Sequence, residues 1–269
     1  MTRIDARDAV LCSWVFDHAS GAPAPFGFTV IREWRDEAAG FLAVLVRTSR
    51  LGEVAEFRLV NRGTRWETSS PGAMLRAFGA DMGANLAILF GDAEALIVPA
   101  ALRAAEEAAA MAAPPPGGHA TLRLLGQSLG GGLAQLQAVA LHLHAPALAA
   151  RFTTFAASDV ARVVERRFGV AVALLPPDLG ENWVSPRDAL TGPGAVFGTP
   201  RIGRNRVVGG MRGPALVPWP GLAFHRASAW VNHCAGRRVD EDAPGHPASR
   251  ADWARLAAGE CWVPEGWPE

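Results

Sequence analysis

Residues Gly126-Gln127-Ser128-Leu129-Gly130 place a serine between two glycines at G-x-S-x-G spacing, and Gly131 and Gly132 follow directly. A serine hydroxyl is a weak nucleophile until a base removes its proton. The spacing suits a sharp strand-to-helix turn that lifts the hydroxyl above a sheet, at the N-terminus of the next helix. There the helix dipole favours a developing negative charge. Glycines at the flanks let strand and helix approach closely. The pattern alone is weak in a glycine-rich chain, so its surroundings decide. Thr121–Leu125 (TLRLL) reads as a buried parallel strand, and Ser128–His144 has helical periodicity. Those are the two elements a nucleophile elbow needs.

Other elements must frame that turn. Three strand-like runs, Phe28–Trp34, Phe41–Arg47 and Val54–Asn61, are β-branched or aromatic and separated by turn-rich segments. Asp81–Phe90 reads as a helix with Asp81 at its N-cap, and Ala93–Ala113 as an alanine-rich helix starting or kinking at Pro99. After the break at Pro114–Gly118 and the elbow, Phe152–Ala156 reads as strand, Asp159–Phe168 as helix and Val170–Leu175 as strand. Such alternation implies right-handed crossovers, hence a mostly parallel sheet with helices on both faces. Helical pieces near His225–Cys234 and Ala248–Ala258 close the chain. With no internal repeat, one α/β domain over residues 1–269 is expected.

The stretch GQSLGGGLAQLQA resembles the elbow of class 3 (fungal-type) lipases and their bacterial lipase-like relatives, with Gln127 where histidine is common. VAEFRLVNRGT (Val54–Thr64) is similar to the strand of that group ending in F-R-G-T or F-R-G-S, and DMGANLAILFG (Asp81–Gly91) to a helix between the two motifs. The likeness covers about Phe41 to Ala157 well and the remainder loosely. It implies an α/β-hydrolase fold and cleavage of carboxylic esters, lipid esters foremost, through an acyl-enzyme on Ser128. It also implies that Thr64 supplies the second oxyanion donor beside the Leu129 N–H. The segment between Thr64 and Asp81 stands where lipases of this group carry a lid.

In α/β-hydrolases the acid follows the serine and the histidine follows the acid. Asp188, in NWVSPRDAL, resembles the acid-bearing segment of those lipases, and leaves room after Ser128 for two further strand–helix units. Asp178 is the alternative, because it directly follows the Val170–Leu175 run, whereas Asp159 suits a helix cap. His18 and His119 precede the serine. His142 and His144 end the nucleophile helix, and fourteen residues along a helix span ~21 Å. Three histidines remain. His225 sits on a loop just before a helix, which is similar to the start of the last helix in the bacterial relatives; His233 lies along that helix, and His246 in an acidic loop.

The remaining composition excludes more than it assigns. There is no lysine, and 26 arginines offset 26 acidic residues, so no basic footprint points to nucleic acid. Cys12, Cys234 and Cys261 form no CxxC pair, which suggests buried thiols rather than a metal or redox site. Asp5, Asp8 and Asp17 interrupt the apolar N-terminus, so a cleaved signal peptide is not expected; a cytoplasmic location is the default, with signal-independent export open. Most of the nine tryptophans suit a core. Acyl transfer through serine needs no cofactor, and the expected partner is a small-molecule or lipid ester, with transient contact to a membrane or micelle surface. A phospholipase, a thioesterase-type acyl hydrolase and a catalytically silent scaffold acting as a binding module are the rival readings.

Overall fold

Unbroken apolar strands predict a sheet covered on both faces, and β3 (Phe41–Arg47, FLAVLVR) is buried from Phe41 to Val46. The structure, a computed structural model, describes residues 2–18, 22–48, 56–64, 92–113, 121–188, 202–208, 211, 227–235, 256 and 261–263. Among the described residues the main sheet has seven strands in the order β2-β3-β4-β5-β6-β7-β8. These are β2 (Thr29–Asp36), β3, β4 (Glu56–Asn61), β5 (Thr121–Gln127), β6 (Ala149–Phe155), β7 (Gly180–Val184) and β8 (Arg204–Val207). The β2–β3 and β3–β4 pairs are antiparallel. From β4 to β8 every pairing is parallel. Strand β2 is an exposed edge, bent by a bulge between Val30 and Arg32 that breaks a flat pairing surface. A short pair, β1 (Thr2–Ile4) and β9 (Cys261–Val263), joins the two ends of the described chain.

Two helical layers cover the sheet. On one face α2 (Ile97–Ala112), α3 (Leu129–His144) and α4 (Ala161–Phe168) pack on Leu59, Leu122, Leu124 and Phe152. Pro99 is the third residue of α2, where its missing N–H has no intrahelical partner to lose. On the other face α1 (Ala6–His18) and α5 (Ala227–Cys234) pack over Val60, Leu125, Phe155 and Trp183. This mostly parallel sheet, wrapped by helices and carrying a strand–serine–helix turn on a central strand, is an α/β-hydrolase fold.

One sequence expectation is corrected. Val170–Leu175 is no strand: Val172–Leu174 form a 3-10 turn, with Leu174 80% exposed, and the strand lies at Gly180–Val184. Apolar composition suggested the wrong segment, because β7 carries Glu181 and Asn182, which side-chain partners satisfy. The N-terminal segment, read only for its interrupting aspartates, is the helix α1. Asp8 is fully buried there and bonds Arg58 Nε at 2.8 Å and Arg123 at 2.6 Å. Asp5 joins the cluster; burial alone would raise its pKa, but Arg7, Arg58 and Arg123 together hold it below the ordinary value. Expectations on residues 81–90, and on most of 248–258, lie outside the described residues.

Arg58 is 1% exposed, so removing its partner strands a buried charge. Asp8→Ala should therefore cost about 3 kcal/mol, the lower end for a broken buried pair, since Asp5 and Glu56 still face the guanidinium. A urea midpoint comparison checks it. Cys12 and Cys234 are buried, and burial with Asp8 nearby pushes the Cys12 thiol well above its usual range. Iodoacetamide should leave Cys12 unmodified in the native protein at neutral pH and alkylate it after unfolding, as peptide mass mapping would show.

Candidate active site

Strand β5 ends at Gln127 and α3 begins at Leu129, leaving Ser128 alone in the turn at φ 56°, ψ −126°. A non-glycine residue there carries strain, which persists only when its surroundings dictate it. They do so here. The Ser128 N–H donates to the Phe155 carbonyl at 3.1 Å, and its own carbonyl accepts from Gly132 (3.1 Å) and Ser158 (3.0 Å). Glycines supply the close fit: a Cβ on Gly126 would overlap the Gly130 carbonyl, and one on Gly131 would stand 2.7 Å from the Ala157 Cβ.

The Arg62-Gly63-Thr64 segment leaves β4 beside this turn. Asn61 pairs with Gly126, so continuing the register by two residues sets Gly63 level with Ser128. A Cβ on Gly63 would stand 2.5 Å from the Gln127 carbonyl oxygen, which shows how closely the segment adjoins the elbow. Thr64 is buried there, as is Leu129 at the first turn of α3. One buried hydroxyl thus follows directly on the glycine that adjoins the elbow, and the helix of that elbow begins at Leu129.

Asp188 closes a turn after β7, its N–H donating to the Ser185 carbonyl at 3.0 Å, and it is 1% exposed. It lies beyond the C-terminal end of its strand, the same sheet edge as Ser128 and two strands away. Asp178 is at the opposite edge, before β7, with its side chain 56% exposed and paired to Arg151 at 3.1 Å. The structure does not bring Asp178 to the elbow. It borders instead a cleft of ≈ 540 Å³ with Arg123, Arg151 and Arg204 near the start of the parallel strands, remote from Ser128. Asp178→Ala should leave ester turnover within twofold of the parent, since an exposed ion pair is worth only about 0–1 kcal/mol. Steady-state kinetics would check this.

Of the candidate histidines only His233 is among the described residues, half-buried in the last turn of α5. Trp230, one turn earlier, packs on Phe155 with ring centroids 5.3 Å apart, which seats α5 beside the end of β6. His225 and His246 lie outside the described residues, as does the segment expected to form a lid. His142 and His144 end α3, far from its N-terminus.

Sequence reasoning passed over two buried amide clusters. Gln137 and Asn61 bond each other, and Gln135 bonds Asn182, from a helix buried continuously from Leu129 to Leu141. The signal was present: a glutamine in an otherwise apolar helix must find a partner when buried.

No protein-family profile matches the chain, and no curated protein sequence does. Among solved structures it is similar to the triacylglyceride lipase of Rhizomucor miehei, at 16% identity over 75% of this chain and 78% of that one, TM-score 0.43. A lipase from Rhizopus microsporus var. chinensis is similar at 12% identity over 84% of each chain, TM-score 0.48. A triacylglycerol lipase from Penicillium expansum is similar at 15% identity over 76% and 77%, TM-score 0.43.

Proposed function

We propose that the chain is a serine hydrolase of carboxylic esters, lipid esters being the favoured class. The observation that carries this is the strained Ser128 at the N-terminus of a buried helix, with Gly63 packed against the Gln127 carbonyl before it and Thr64 buried next in the chain. A structural turn has no need of a non-glycine residue at that φ; a nucleophile that must stand clear of the sheet does. Ser128 attacks the carbonyl carbon and its proton passes to a histidine. The Leu129 N–H and Thr64 stabilise the oxyanion, the alcohol leaves with the proton, and water releases the acyl group. Asp188 orients the imidazole. His225 is the favoured base, with His233 and His246 as the rivals. The preference for lipid esters comes from the likeness of GQSLGGGLAQLQA to class 3 lipases.

A fluorophosphonate probe tests the reading. The expected result is a single adduct on Ser128 in the parent, lost in the variant of whichever histidine is the base, among His225→Ala, His233→Ala and His246→Ala. No adduct, even with detergent micelles present, would sink the hydrolase reading and favour a silent scaffold. Rates of acyl release from triacylglycerol, phospholipid and thioester then rank the substrate classes.

A further inference from the structure

The nucleophile helix α3 is buried along most of its length, yet two of its residues are glutamines, and both are fastened to strands of the sheet. Gln137 Nε2 donates to Asn61 Oδ1 at 3.1 Å and to the Ala101 carbonyl at 2.9 Å. Asn61 Nδ2 donates back to Gln137 Oε1 at 2.7 Å and to the Leu125 carbonyl at 3.2 Å. Every polar atom of both amides is thereby used. On the helix's other flank Gln135 bonds Asn182 at 2.8 Å, and Asn182 is held in turn by Thr154 and the Ile202 carbonyl.

We propose that Asn61 and Gln137 are positioning residues, a reciprocal amide pair that sets Thr64 in register with Ser128. The inference rests on the hydrolase reading above. Asn61 is the last residue of β4, three before Thr64, and its carbonyl oxygen stands 2.4 Å from where a Cβ on Gly130 would be. One residue thus fixes the oxyanion segment to the helix by its side chain and abuts the elbow by its backbone. Two apolar side chains would hold α3 on the sheet equally well, but without directional bonds they would tolerate sliding. A reciprocal amide pair fits one register only. Oxyanion donors need that precision, because a displacement of about 1 Å can cost about 100-fold in rate.

The test compares the parent with Asn61→Leu/Gln137→Leu and with the exchanged pair Asn61→Gln/Gln137→Asn, following kcat, KM, fluorophosphonate labelling of Ser128 and thermal midpoint. Replacing both partners leaves no unpaired side-chain amide but takes a side-chain donor from the Leu125 and Ala101 carbonyls, so the leucine pair should melt within a few degrees of the parent. Its kcat and labelling rate should nevertheless fall about 10- to 100-fold, with KM within twofold. The exchanged pair, which keeps both amides, should retain kcat within about fivefold. A folded leucine pair with kcat within twofold of the parent overturns the proposal, since the pair would then be structural only. If the leucine pair does not fold, the exchanged pair decides: kcat down more than tenfold in a folded protein overturns it as well. A parent that is neither labelled nor active removes the hydrolase reading first, and this inference with it.

Discussion

Ser128→Ala should abolish turnover of short p-nitrophenyl esters, a loss on the order of 10⁶-fold in kcat, while leaving the thermal midpoint within a few degrees of the parent. The size follows from the chemistry: without the hydroxyl no acyl-enzyme forms, and only binding and oxyanion stabilisation act on a bulk water. The unchanged midpoint follows from the structure. All three main-chain hydrogen bonds of Ser128 survive the substitution, and alanine meets the same φ of 56°. Ser128→Gly separates the two effects. It should be equally inactive but more stable by about 1 kcal/mol, because relief of about 1–3 kcal/mol of strain outweighs about 0.5–1 kcal/mol of added chain entropy. Turnover retained in Ser128→Ala would mean that the nucleophile lies elsewhere. A glycine variant less stable than the parent would mean that the turn is not strained.

That strained serine was legible in the sequence because its elements announce themselves locally. TLRLL before it and a leucine- and alanine-rich helix after it fix a strand–turn–helix by pattern alone, and β3 matches its apolar run from Phe41 to Arg47. Legibility ended where partners distant in sequence decide the structure. The Val170–Leu175 run looked like a strand by composition, while GENWV became the strand because Glu181 pairs with Arg206 and Asn182 enters an amide network. Asp8 looked like an interruption of an apolar segment, yet its counter-charge arrives from Arg58, fifty residues on. The same limit governs the site. Ser128, Leu129 and Thr64, the residues proposed for attack and oxyanion binding, directly follow two neighbouring strands, so motif spacing reaches them. The histidines proposed as base, His225, His233 and His246, come from the far end of the chain, where no repeated pattern ties them to the elbow. Asp188 sits between these cases: its place depended on which segment formed the strand before it, and moving that strand to Gly180–Val184 carries Asp178 to the wrong edge.

Among the described glycines Gly126→Ala should be the most damaging added methyl group, lowering stability by about 4 kcal/mol or more and removing Ser128 labelling with it. The backbone of Gly126 is ordinary extended strand, so conformational freedom is not at issue. What matters is that the added Cβ would fall on the Gly130 carbonyl group and 2.6 Å from the Gly131 nitrogen. Overpacking typically costs about 1–3 kcal/mol because side chains swing aside. Here the atoms in the way are main chain of the first helical turn, and that turn is pinned in its own right. Gly130 abuts the Asn61 carbonyl and Gly131 abuts Ala157, so α3 cannot retreat from β5 without opening both contacts. Gly169→Ala provides the comparison. It ends α4 at φ 65° with nothing within 4 Å of the added carbon, so it pays only left-handed backbone strain, about 1–2 kcal/mol. Urea midpoints with matched m-values measure both. A Gly126→Ala loss no greater than that of Gly169→Ala would mean that strand and helix are not packed backbone to backbone. The serine would then owe its place in the turn to something other than the glycines around it.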